Sequence, residues 1–206
     1  MAVASSGRPG DATLRIARYA LSVLARNTAN LLTLARLVCV VPIILLVRAD
    51  AYHSAAMLFF FAAMTDLADG YVAKRFNAIT PLGAVLDPIA DKLLMDSLFL
   101  TLAFDAHLPA WIALLVIGRD LLMVAGTLAL RLLAGRFRVQ PLLVGKLSTF
   151  FQIVLGGVVL AQLSFFPALD ILVGPLLVMT SIFVVGSAIA YVHAAGRIWT
   201  LARVAR

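Results

Sequence analysis

Residues 65–92 read TDLADGYVAKRFNAITPLGAVLDPIADK, and this stretch decides how the chain folds. Two apolar segments flank the short Asn77–Pro81 turn, so they form antiparallel helical neighbours. Asp66 and Asp69 are three residues apart on the first segment, and Ala73 continues their face. Asp87 and Asp91 are four apart on the second. Both spacings bring side chains to one helical face. At the helical rise, Asp69 and Asp87 lie roughly 10 Å below the turn, and Asp66 and Asp91 roughly 14–15 Å. Ionisable groups inside an apolar span are costly and are functional-site candidates by default. Four carboxylates so close repel one another. Hard divalent cations with oxygen ligands relieve that repulsion, and this many carboxylates can hold two. Gly70 and Gly83 remove side chains at the mouth and let a ligand approach the backbone. Lys74 and Arg75 at the rim can meet phosphate. A purely structural reading would neutralise an acidic group with Lys92 or Lys74 and use the glycines to pack helices. It accounts for one intramembrane Asp far better than for four in this spacing.

Composition places the hairpin in a bilayer. The chain has 206 residues and is 63% hydrophobic, with a mean hydropathy of +1.05. A soluble domain of this length cannot hide that much apolar surface. The net charge is +7, but Lys and Arg gather beside apolar runs. That suits anionic lipid headgroups rather than nucleic acid, and no nucleic-acid partner is expected. The lone Cys39 lies inside an apolar run and has no internal disulfide partner.

Outward from the hairpin, the sequence predicts an all-α membrane bundle of six transmembrane helices over 30–48, 53–76, 82–103, 109–134, 141–163 and 171–195. Residues 1–13 read as a disordered N-terminus and 14–206 as one membrane domain. In 14–27, Arg15, Arg18, Ser22 and Arg26 share one face, which predicts an amphipathic helix in the membrane interface. Basic residues crowd the N-terminus, the 74–81 turn, the 135–140 loop and the C-terminus. Asp50, His53, Asp105, His107 and Asp170 occupy the other loops. The positive-inside rule then puts both termini in the cytoplasm.

At the hairpin the sequence resembles the CDP-alcohol phosphatidyltransferase family, whose motif runs Asp-x2-Asp-Gly-x2-Ala-Arg and then Gly-x3-Asp-x3-Asp. Asp66, Asp69, Gly70, Ala73, Gly83, Asp87 and Asp91 match it; Lys74 stands where the family has Arg, with Arg75 following. Similarity extends to Asn30, Thr33 and Arg36 in the first span, Gly118-Arg119-Asp120 in the fourth, and Gly145, Lys146 and Gln152 in the fifth. The resemblance implies an integral, multi-pass membrane enzyme, usually a homodimer, here of a bacterial inner membrane. Its donor would be CDP-diacylglycerol, and its acceptor a glycerol-type alcohol, glycerol 3-phosphate or phosphatidylglycerol, with inositol phosphate or serine as alternatives. It further implies that Asp66, Asp69, Asp87 and Asp91 hold Mg²⁺ or Mn²⁺, as two ions. Asp91 would be the general base, and Asp69, Gly70, Ala73, Lys74 and Gly83 would line the cytidine diphosphate site.

Two other classes fit the pattern less well. A divalent-cation transporter places its site at the midplane between internal repeats, but this cluster is off-centre and no repeat is evident. An inactive scaffold has no need of an intact Asp91. Lys146 and Arg131 are candidates for an acceptor phosphate. Trp111 and Trp199 suit interfacial anchoring. His53 and His107 lie on the far side and are not expected to be ligands, and Pro88 is expected to bend its helix. Arg119 lies roughly 22 Å from residue 134, and Asp96 roughly 21 Å from Leu82. An Arg at that depth needs a partner, and the matched depths predict an Arg119–Asp96 pair. Asp120 is the rival, set aside because consecutive helical residues point about 100° apart. The functional alternative has Arg119 reaching towards an acceptor headgroup.

Overall fold

The computed structural model describes residues 34–75, 83–134 and 143–204. Residues 1–33, and with them the N-terminal segment and the interfacial helix, lie outside the described residues. Every element among the described residues is helical. Helix α1 covers 34–48. It is followed by α2 (Tyr52–Arg75), α3 (Gly83–Phe104), α4 (Ala110–Ala134) and α5 (Leu143–Ser164). A single 3₁₀ turn (Pro167–Leu169) leads into α6 (Asp170–Val204). The first five agree with the sequence reading to within two residues wherever both ends are described. The last runs nine residues further than expected, with Pro175 accommodated inside it.

Three segments are long and apolar enough to cross a membrane: Ala110–Ala129, Leu143–Ser164 and Pro167–Arg197. Tyr52–Thr65 is a shorter apolar stretch. Helix α3 carries Asp87, Asp91, Lys92 and Asp96 along its length, so charge interrupts its apolar run. The outer faces stay apolar: Leu114, Ile171 and Phe104 are 70–79% exposed. A surface of that kind belongs against lipid.

The core runs the length of the bundle. Ile43 and Val47 of α1, Phe59 of α2, Leu98 and Leu102 of α3, Ile112 and Val116 of α4 and Leu155 and Val159 of α5 are buried together. Each pair recurs at four residues, the spacing of one helical face. Helix α5 packs along α6 and α2, and α4 packs along α6 and α3.

Helix α6 attaches differently. Its buried positions are Thr180, Val184, Ser187 and Tyr191, spaced four, three and four apart. Three of them carry hydroxyls that find partners on other helices. Thr180 donates to the Phe151 carbonyl at 3.3 Å. Ser187 accepts from Arg119. Tyr191 donates to the Met123 carbonyl at 3.1 Å and meets the Thr127 hydroxyl at 2.9 Å. Lipid tails are as apolar as a leucine side chain, so such hydrogen bonds and close packing select a helix's partners where apolar burial does not.

Two loops close without glycine. Asp50 and Ala106 adopt φ of 55° and 58°. In the first, the Ala51 amide reaches the Leu46 carbonyl and the Asp50 amide that of Val47; in the second, His107 reaches Leu102 and Ala106 reaches Ala103. These are the paired bonds of a Schellman cap. The Tyr52 hydroxyl then donates to Asp50 and contacts the His107 ring nitrogen at 2.9 Å. His53 packs against Phe165 with ring centroids 4.2 Å apart. The α1–α2, α3–α4 and α5–α6 connections therefore meet at one end of the bundle, and α2 ends at Arg75 and α3 begins at Gly83 towards the other.

Candidate functional site

Helix α2 is unbroken through its final turns, and α3 is unbroken from Gly83. Asp66 and Asp69 thus sit about 14 and 9 Å from the Arg75 end of α2, and Asp87 and Asp91 about 6 and 12 Å from the start of α3. Gly70, Ala73 and Lys74 occupy the last turns of α2, and Gly83 opens α3. The backbone thus carries the two halves of the motif, with Lys74 in place of the family's Arg, on two consecutive helices. The side chains of Asp66, Asp69, Ala73, Lys74, Asp87, Pro88, Asp91 and Arg131 lie outside the described residues, as do the contacts of Gly70 and Gly83.

The surroundings of the motif are described. One turn beneath it, Phe59, Ala62 and Ala63 of α2 and Leu94 and Met95 of α3 line a cavity of about 90 Å³, together with Arg36, Thr149 and Ile153. On α5, Ser148 and Gln152 are buried and hydrogen-bonded to each other at 3.2 Å. Lys146 is exposed.

Deeper along α3 lies a buried charge network, and it corrects the expected Arg119–Asp96 pair. The Arg119 side chain bonds its own neighbour Asp120 through one terminal nitrogen. Its Nε and other terminal nitrogen reach Ser187 Oγ at 3.1 and 2.8 Å. Asp120 also takes the Lys92 ammonium at 3.1 Å. Asp96 lies within the field of Lys92, Arg119 and Asp120, yet its Oδ1 is buried without a hydrogen bond among the described residues. The expectation failed because Cβ directions 100° apart constrain short side chains only. A guanidinium on a flexible stem curls back to the adjacent carboxylate. Asp96 does lie near Arg119 at the matched depth, but of the two nearby carboxylates it is Asp120 that the guanidinium takes. All three guanidinium nitrogens are engaged, which weighs against Arg119 as a headgroup ligand.

Sequence reasoning missed Ser187, the Lys92–Asp120 ion pair and the burial of Arg36, which is 2% exposed. The four-three-four spacing on α6 was the available signal for Ser187. Gly145 lies beside this network: a Cβ there would sit 3.5 Å from an Arg119 terminal nitrogen and 3.8 Å from Ser187 Oγ.

Comparison with known proteins bears on this geometry. Residues 26–201 match the CDP-alcohol phosphatidyltransferase family. The chain is 40% identical over 146 residues to a probable phosphatidylglycerophosphate synthase of Mycobacterium tuberculosis, covering 67% of this chain and 68% of that one. It is 34% identical over 127 residues to the CDP-diacylglycerol–glycerol-3-phosphate 3-phosphatidyltransferase of Aquifex aeolicus, covering 61% and 70%. It is 36% identical over 148 residues to a cardiolipin synthase (CMP-forming) / mitochondrial hydrolase fusion protein of Schizosaccharomyces pombe, covering 65% of this chain and only 25% of the fusion.

Proposed function

Because the chain belongs to the CDP-alcohol phosphatidyltransferase family, we propose that it transfers the phosphatidyl group of CDP-diacylglycerol to a glycerol-type alcohol and releases CMP. The observation that carries this reading is the family motif, whose first half lies within α2 and whose second half lies within α3. The acceptor is glycerol 3-phosphate, which the description of the Aquifex aeolicus relative names, or phosphatidylglycerol. Six helices span the membrane, with both termini in the cytoplasm of a bacterial inner membrane, and the protein works as a homodimer.

The donor set of the site is all oxygen: four Asp carboxylates on two helices. Such a set fits hard cations that prefer oxygen, Mg²⁺ or Mn²⁺. Asp66, Asp69 and Asp87 would hold two ions, with Asp91 as a further ligand. When bound, the ions neutralise diphosphate charge and stabilise the departing CMP. The remaining work falls to the chain's own residues. Gly70 and Gly83 leave backbone open to the cytidine diphosphate, and Asp69, Ala73 and Lys74 line it. Asp91 accepts the acceptor's hydroxyl proton as that oxygen attacks the phosphorus carrying the diacylglycerol. A bond forms between the acceptor oxygen and that phosphorus, and the bond from phosphorus to the CMP oxygen breaks. Displacement of this kind depends on positioning and charge neutralisation more than on covalent chemistry.

The test uses purified protein, CDP-diacylglycerol, Mg²⁺ or Mn²⁺, and a panel of glycerol 3-phosphate, phosphatidylglycerol, inositol phosphate and serine. CMP release with a glycerol-type acceptor and a matching lipid product is the expected result. Release with inositol phosphate or serine alone would move the chain to another branch, and no release with any acceptor would sink the reading.

A further inference from the structure

A buried charge on α1 plays no part in the mechanism above. Arg36 is 2% exposed. It precedes Ile43 by seven residues and Val47 by eleven, so it belongs to the stripe that packs α1 into the core. A guanidinium does not shed its proton in proteins. A permanent positive charge is therefore held inside the bundle, where it is costly unless something negative faces it.

The neighbours of Arg36 indicate what that is. It lines the 90 Å³ cavity with Phe59, Ala62 and Ala63 of α2 and Leu94 and Met95 of α3. Asp66 follows Ala62 by four residues and Ala63 by three. Asp91 precedes Leu94 by three and Met95 by four. In helical register, positions 66 and 91 thus come one turn after the cavity-lining residues, about 5.4 Å along each axis. The helices are antiparallel, so both steps lead the same way, towards the Arg75 end of α2 and the Gly83 end of α3.

We propose that Arg36 is the fixed counter-charge of the carboxylate site, a positioning residue that faces Asp66 and Asp91 from beneath and offsets part of their charge. The proposal rests on the reading of these carboxylates as the donor and cation site. Two divalent ions balance four carboxylates and leave no excess charge for a diphosphate, and Arg36 supplies a further positive charge to the site. As a cation itself it also opposes the binding of metal ions to the same carboxylates.

That opposition gives the test a sign that loss of packing does not share. Mn²⁺ binding is measured directly by electron paramagnetic resonance on the full chain in detergent, alongside CMP release. Arg36→Gln should bind Mn²⁺ more tightly, by roughly three- to tenfold for one partly screened unit charge, while releasing CMP more slowly at saturating Mn²⁺. Arg36→Lys should restore both towards the parent. Unchanged or weaker Mn²⁺ binding in Arg36→Gln overturns the proposal. Should Arg36→Gln fold poorly, Arg36→Gln/Asp66→Asn should regain thermal stability by removing the stranded carboxylate, and a double variant no more stable than the single one overturns it equally. If the parent protein releases no CMP, the transferase reading fails, and the Mn²⁺ and double-variant comparisons still decide the counter-charge.

Discussion

The Lys92 ammonium lies 3.1 Å from an Asp120 carboxylate oxygen, joining α3 to α4 one residue beyond Asp91. Asp120 also holds Arg119, whose guanidinium reaches Ser187 of α6. Three helices are thereby fixed around the segment that carries the proposed base.

Asp120 is the shared anion of this network, so its removal strands two cations. Asp120→Asn should lower stability by about 3–5 kcal/mol, the cost typical of breaking a buried pair from one side. Asp96→Asn should cost much less, because the Asp96 carboxylate has an oxygen with no hydrogen bond among the described residues. Thermal unfolding in detergent compares the two. Equal losses would mean that Asp96 carries a share of the network that its contacts do not indicate.

The four motif carboxylates should separate by role. Asp91→Asn should abolish CMP release yet retain metal-dependent binding of the CDP donor. Asp66→Asn and Asp87→Asn should lose both. Calorimetric titration of the donor beside the release assay makes the distinction, and normal turnover by the Asp91 variant would remove it as the base.

At Gly126, α4 packs closely against Tyr191 of α6. A Cβ there would lie 2.7 Å from Tyr191 Cε1 and 2.9 Å from its hydroxyl oxygen. The ring cannot retreat without losing its bonds to Met123 and Thr127. Gly126→Ala should destabilise by about 1–3 kcal/mol, the range for overpacking. Gly118→Ala meets nothing within 4 Å and should be neutral or slightly stabilising through helix propensity. Similar melting temperatures for the two variants would contradict the packing account.

Ala106 holds a left-handed conformation that favours glycine. Ala106→Gly should raise stability by about 1 kcal/mol, the strain of an L residue in that region. A fall in melting temperature would show that the alanine methyl contributes more than its backbone strain costs.

Much of this was legible in the sequence. The described ends of the first five helices agreed closely because Pro and polar turn residues break long apolar runs, whereas no such signal marks the end of α6. What escaped depended on side-chain reach. Arg119 has two carboxylates within range, and periodicity ranks their directions without knowing how a four-bond stem folds back. The caps at Asp50 and Ala106 gave no warning because neither is the glycine that usually marks them. Arg36 stood out in the sequence as a family-like position of the first span, but its burial and the cavity beside it depend on packing that spacing does not reveal.

The hydroxyl-bearing stripe on α6 has a consequence for how this helix finds its height in the bundle. Apolar side chains can slide past lipid and past one another with little penalty, so an apolar helix has no intrinsic axial stop. Here a slip of one turn, about 5.4 Å, would carry Val184 to the place of Ser187 and leave Arg119 facing a methyl group. It would also carry the Thr180 hydroxyl away from the Phe151 carbonyl and the Tyr191 phenol away from Met123. All three bonds are lost together, and intermediate positions satisfy none of them. Helix α6 is therefore seated like a key with three wards, and its height is set by which notches its hydroxyls find.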